Sequence, residues 1–128
     1  MTASFKRSEY VSTFHIFKSQ EVAAAGSASS GAIDLGVPVQ QGYFSIQVEV
    51  TGDGTLKLEY LLSNNDVDYL EPSAASDIAT GIASDSGPGS NGKDIYSFKP
   101  MAGRYIKIKA TETGESNVAT ISAWLTTH

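Results

Sequence analysis

Apolar and polar residues alternate along much of this chain with a period of two. Ile106 and Ile108 alternate with Lys107 and Lys109, and Ala119, Ile121, Ala123 and Leu125 alternate with Thr120, Ser122 and Trp124. Successive side chains of an extended strand point to opposite faces, so each such segment can bury one row and present the other. The clearest unit places Phe44, Ile46, Val48 and Val50 opposite Ser45, Gln47 and Glu49. Leu56, Leu58, Tyr60 and Leu62 mirror it, opposite Lys57, Glu59 and Leu61. Thr51-Gly52-Asp53-Gly54 lies between and supplies the positive-φ positions of a tight hairpin. This predicts a β-hairpin whose two inward rows supply a large part of the core, at ~1.5–3 kcal/mol for each fully buried side chain.

The remaining segments are shorter. From Val11 to Lys18, Phe14 and Ile16 share one face and Val11, Thr13, His15 and Phe17 the other, which predicts a strand covered on both sides or lying at a subunit boundary. The small residues from Ala23 to Gly31 predict a flexible connection. A short strand follows at Ile33 to Gly36. Ser63 to Asp68 reads as a polar turn, and Ile78 and Ile82, four apart, as a brief helical turn. Ser84 to Gly92 has the composition of a mobile loop. Further strands are expected at Asp94–Lys99, with Tyr96 and Phe98 on one face, at Arg104–Ala110 and at Val118–Thr126. Together they predict an all-β chain: a single antiparallel β-sandwich, jelly-roll-like, of about seven to eight strands over residues 21–128. Residues 1–20 form a flexible N-terminal arm or an edge strand in this reading.

Composition narrows the chemistry. The 128 residues suffice for one domain with a single core. Ser, Thr and Gly number 17, 10 and 12, which favours strands and turns over helices. Without cysteine there is no disulfide framework, thiolate metal site or cysteine nucleophile. The net charge of −5 is uneven: Asp53 to Asp94 is acidic, whereas Lys99, Arg104, Lys107 and Lys109 cluster without an intervening acid. The overall sign argues against nucleic acid as a partner. The basic group is either a solvated strand face or a contact patch for an acidic partner. Met1 to Tyr10 lacks the apolar core of a secretory signal, and no apolar run is long enough to span a bilayer, so synthesis in the cytoplasm and no membrane partner are expected.

No catalytic group stands out. His15 and His128 have no neighbour that suggests a metal or a proton relay, so structural roles are expected and the chain is not read as an enzyme. Asn64, Asp66 and Asp68 are spaced as in a calcium loop. However, Tyr69 stands where such a loop needs Gly and Ala75 where it needs Glu, so the segment reads as an Asn/Asp turn. No cofactor and no metal are expected. In the last strand, Trp124 points out if Ile121 and Leu125 point in, and Tyr105 does the same on the preceding strand. If these strands are adjacent, the two rings form an aromatic patch. It can be sealed by a loop or the N-terminal segment, serve as an oligomer or partner interface, or form a sugar-stacking platform. Phe14, Phe17, Tyr105 and Trp124 are the expected contact residues.

Three blocks carry a family resemblance: Leu58 to Asp66, Tyr105-Ile106-Lys107-Ile108-Lys109 and its continuation to Thr113, and Asn117-Val118-Ala119-Thr120-Ile121-Ser122-Ala123-Trp124-Leu125. Over its C-terminal two thirds the chain resembles small β-sandwich virion structural proteins of tailed bacteriophages. Asn65-Asp66 here replaces the more usual Asp-Gly turn. The resemblance implies a head decoration or cement protein, or a neck, tail or fibre accessory, located in the virion. Its implied partners are other copies of itself in a cyclic homo-oligomer and the major capsid protein or other virion proteins, held non-covalently. The motifs are structural, so no catalytic residue carries over. The N-terminal third has no counterpart and reads as an arm docking on a neighbouring subunit. A second reading, from a different class, is a carbohydrate-binding module of a tail fibre or secreted enzyme, stacking sugars on Trp124 and Tyr105.

Overall fold

A computed structural model describes residues 12–36 and 42–127. These residues form nine strands: β1 (Ser12–Val22), β2 (Ser27–Ser29), β3 (Ile33–Asp34), β4 (Phe44–Gly52), β5 (Leu56–Ser63), β6 (Ala79–Ile82), β7 (Lys93–Phe98), β8 (Tyr105–Glu112) and β9 (Ala119–Thr127). One sheet has the order β1-β9-β4-β7. The other has the order β2-β8-β5-β6, with β3 also paired to β8. Each of these pairings is antiparallel. Two interleaved four-strand orders of this kind are the double Greek key of a jelly roll. There is no helix among the described residues, so the turn expected at Ile78 and Ile82 is instead the approach to β6, with the Ile78 N–H donating to the Leu58 carbonyl at 2.8 Å.

The hairpin expected over residues 44–62 is not one. β4 pairs with β7 and β9, whereas β5 pairs with β6 and β8, so the intervening turn crosses from one sheet to the other. The side-chain rows nevertheless keep the faces expected of them, and all eight inward residues are buried. They meet across the gap of roughly 10 Å between stacked sheets instead of lying side by side. The glycines of the turn also serve a different end. Gly52 has φ 88°, but a Cβ there would lie 2.8 Å from the Val118 carbonyl oxygen, and a Cβ on Gly54 would lie 2.8 Å from that of Asn117. Both make room for the chain that joins β8 to β9.

The low-complexity stretch is ordered. Ser27–Ser29 pair with Thr111–Lys109. The hydroxyl of buried Ser30 accepts the Ile108 N–H at 2.9 Å, and the Ser30 N–H donates to the Ile108 carbonyl at 2.8 Å.

Residues 12–20, expected within an arm or an edge strand, belong to edge strand β1 of the chain's own sheet; residues 1–11 lie outside the described residues. β1 carries two bulges, between His15 and Phe17 and between Phe17 and Gln20, the second with Ser19 at φ 49°. A bulge inserts one extra residue and resets the alternation. His15 therefore stands opposite Trp124 on the outer face, while Phe17, opposite Ala123, drops into the core at 2% exposure. The expected pairing of faces along this segment is corrected accordingly. The irregular ladder also makes the exposed edge a poor template for a further strand.

Candidate interaction surfaces

The strand registers assemble a row across the outer face of the four-stranded sheet. His15 lies opposite Trp124, Trp124 opposite Gln47, and Gln47 opposite Ile95. The His15 and Trp124 rings stack with centroids 4.5 Å apart and an interplanar angle of 8°. Trp124, Ile95, Gln47, Ser45, Thr126 and Thr13 line a shallow trough of about 310 Å³ that reaches from β1 to β7. Ile95 is 61% exposed there.

Of the four expected contact residues, Trp124 lies half-buried on this outer face, whereas Phe14, opposite the inward Leu125, sits on the core side of edge strand β1 at 38% exposure. Phe17 is core and is withdrawn as a contact. Tyr105 is half-buried on β8, in the opposite sheet, with the Arg104 guanidinium 5.3 Å from its ring. Tyr105 and Trp124 therefore occupy opposite outer faces, and the patch expected from them does not form. That patch requires consecutive strands to be neighbours in one sheet, whereas in a jelly roll the chain crosses between sheets at this point.

A second surface has no counterpart among the sequence expectations. The end of the sandwich formed by the start of β4, the end of β5 and the β7–β8 connection gathers exposed Tyr43, Val67, Leu70 and Met101. Of the seven large apolar side chains exposed among the described residues, only Val118 lies at the opposite end. Two concavities open here and share Ala102 and Gly103. One, of about 430 Å³, runs along Leu62, Asn64, Leu70 and Pro72; the other, of about 410 Å³, runs along Leu35, Phe44, Lys99 and Met101. No compact sequence signal marks this end, because its residues come from three separated connections.

Hydrogen bonds hold these loops in place. The Met101 N–H donates to the hydroxyl of Tyr60 at 3.1 Å, and the Arg104 N–H to Asn64 Oδ1 at 3.0 Å. The Arg104 guanidinium meets Asp34 Oδ1 at 3.1 Å; this bond, with that from the Gly36 N–H, holds the Asp34 carboxyl below its usual range. The three residues spaced as in a calcium loop each have an oxygen engaged: Asn64 Oδ1 accepts the Arg104 N–H, Asp68 Oδ2 the Asn65 amide N–H and Asp66 Oδ1 the Tyr69 hydroxyl. Burial and that bond push the Tyr69 hydroxyl up to about 12, and Lys107 Nζ lies 4.2 Å from its ring centroid.

Two further carboxylate groupings are invisible in the sequence. Glu59, Glu71 and Asp77 bring one oxygen each within 4.8 Å of one another, a spacing a divalent cation can bridge. Lys57 Nζ, 3.6 Å from Glu59 Oε1, offsets part of that charge. The hydrogen bond to Glu59 raises the Glu71 carboxyl above its usual range. At the end of β8, buried Glu112 accepts four backbone N–H bonds, a structural task. Neither grouping combines a nucleophile with an oriented base.

No protein-family model matches the chain, and no curated protein matches it by sequence. Similar solved structures include the periplasmic g-type lysozyme inhibitor PliG of Aeromonas hydrophila, at 8% identity and a TM-score of 0.44, covering 98% of this chain and 91% of that one. Another is a structure of infectious bursal disease virus, Gx strain, at 12% identity and a TM-score of 0.45, covering 91% of this chain and 30% of that one. A third is CpGH89CBM32-6 of Clostridium perfringens, at 13% identity and a TM-score of 0.33, covering 91% and 94%. At these identities the likeness concerns fold alone.

Proposed function

We propose that this jelly roll is a non-enzymatic structural protein of a phage virion, a head decoration or cement protein held by non-covalent contacts within a cyclic homo-oligomer. The observation that carries this reading is the gathering of Tyr43, Val67, Leu70 and Met101, four of the seven exposed large apolar side chains among the described residues, at one end of the sandwich. Small domains seldom leave such groups near one another on a free surface, and exposed apolar residues gathered in this way normally meet protein. Met101 is tied to β5 by its N–H bond to Tyr60 and Leu70 by its paired backbone bonds with Leu62, so little ordering entropy remains to be lost at these two residues on association. The resemblance of the Leu58–Asp66, Tyr105–Thr113 and Asn117–Leu125 blocks to small virion β-sandwiches supports the same reading.

Light scattering coupled to size-exclusion chromatography tests it. The wild-type chain is expected to elute as a closed oligomer of single mass at micromolar concentration. The triple variant Tyr43→Ser, Leu70→Ser, Met101→Ser is expected to elute as a monomer with an unchanged β-sheet circular dichroism spectrum. A wild-type chain that stays monomeric across concentrations removes the oligomer from this account.

A further inference from the structure

We infer that the trough on the outer face of the four-stranded sheet is a binding site for a neutral carbohydrate, with Trp124 as its stacking wall. This goes beyond the assembly reading and uses a different surface from the apolar loop end. Four features of the trough define its occupant. First, the indole is braced: His15 stacks on one face, and Trp124 lines the trough. A fixed aromatic face with an adjacent polar floor suits a sugar ring, whose C–H groups lie on the indole while its hydroxyls reach sideways. Second, the floor is neutral and rich in donors and acceptors. It consists of the Gln47 amide and the hydroxyls of Ser45, Thr126 and Thr13, the last two joined to each other at 2.9 Å. No lining residue carries a full charge, which disfavours a phosphate, a nucleic acid or an acidic sugar.

Third, the dimensions fit. Trp124 on β9 and Ile95 on β7 stand on either side of β4, roughly 10 Å apart by two strand spacings. Gln47 stands between them, so a ring lying over Gln47 would meet the indole on one side and Ile95 on the other. The volume of about 310 Å³ is at the low end for small-molecule sites and suits one or two sugar rings. Fourth, every lining residue sits on a hydrogen-bonded strand, and β4 and β9 are the two central strands of the sheet, so the site is preformed.

Trp124 is the sole tryptophan, so its fluorescence reports the site directly. The probes are maltotetraose, cellotetraose, and galactose- and N-acetylglucosamine-terminated oligosaccharides, with a sialylated oligosaccharide as the charged control. At least one neutral probe is expected to give a saturable emission change with a Kd of about 1 mM or tighter, and the sialylated control none. Gln47→Ala and Ile95→Glu are each expected to weaken binding by about tenfold or more with thermal unfolding unchanged, whereas Lys109→Ala, on the other sheet, leaves binding intact. No saturable response to any neutral probe up to about 10 mM overturns the inference. So does binding that neither Gln47→Ala nor Ile95→Glu weakens. If Ile95→Glu instead shifts the oligomeric mass, the trough is a contact between copies and the carbohydrate site is withdrawn. The mass readout and the sugar readout are independent, so failure of one proposal is distinguishable from failure of the other.

Discussion

Glu112→Gln is expected to lower the thermal midpoint by roughly 10 °C or more, a large effect for the exchange of one oxygen for an NH2 group. Glu112 is 2% exposed at the end of β8. Its Oε1 accepts the Ala25 N–H at 3.0 Å and the Glu115 N–H at 2.7 Å; its Oε2 accepts the Thr55 N–H at 3.0 Å and the Gly114 N–H at 2.7 Å. One carboxylate thereby ties together the β1–β2, β4–β5 and β8–β9 connections. Glutamine has nearly the same shape, but its NH2 would face two N–H donors in place of an acceptor. The substitution therefore leaves buried donors unpaired without opening a cavity.

The same geometry sets a pH dependence. The N–H bonds from Ala25 and Thr55, followed by those from Gly114 and Glu115, lower the Glu112 carboxyl from 4.5 to about 2 against the opposing effect of burial. A carboxyl depressed on folding contributes stability that is fully present above its unfolded value of 4.5 and is lost as the pH falls towards 2. Acid unfolding of the wild type should steepen across that window, and the Glu112→Gln variant should be less stable at neutral pH with a flatter dependence below pH 4.5. Parallel curves for the two proteins would show that the four bonds do not form in solution.

The second large effect is at Phe17. Phe17→Ala is expected to cost about 3 kcal/mol in urea unfolding, since it removes a buried ring from the core and leaves a cavity. Phe14→Ala, three residues earlier on the same strand and 38% exposed, is expected to cost about 1 kcal/mol or less. The bulge between His15 and Phe17 is what brings Phe17, opposite Ala123, to the core side that Phe14, opposite Leu125, already faces. Equal small losses at both positions, with a change in oligomeric mass at Phe17, would return Phe17 to the surface and place the bulge elsewhere.

The two proposals assign separate regions to separate partners. The loop end offers apolar residues on braced connections, and the four-stranded face offers one indole above a neutral hydroxyl floor. Both can be occupied at once, because Tyr43, Leu70 and Met101 do not line the trough. On that basis a decoration protein seated by its loop end would still present the trough.

Much of the fold is legible in the chain because alternation is a local property. The rows Phe44–Val50, Leu56–Leu62, Ile106–Ala110 and Ala119–Leu125 each specify a strand and its buried face without reference to any other segment, and the inward residues of all four are buried. The outward position of Trp124 follows from the same alternation, and the absence of cysteine is equally plain. Weak local signals mislead. The Ala/Ser/Gly stretch lacks side chains that would mark a strand, yet β8 supplies the ladder that orders it. In β1 a single extra residue resets the parity of the positions after it, and a bulge has no signature in alternation alone.

What the sequence determined by itself is therefore the period, the burial and the exclusions: an all-β chain with two-faced strands and no thiol chemistry. Which strand lies beside which was decided only in three dimensions. A buried row is satisfied equally well by a neighbour in its own sheet or by the facing sheet, and the energy of covering apolar surface does not distinguish the two locally. That choice separated Tyr105 from Trp124, brought Gln47 and Ile95 to Trp124, and gathered Tyr43, Leu70 and Met101 from distant loops onto one end. Both proposed contact surfaces are products of sheet order.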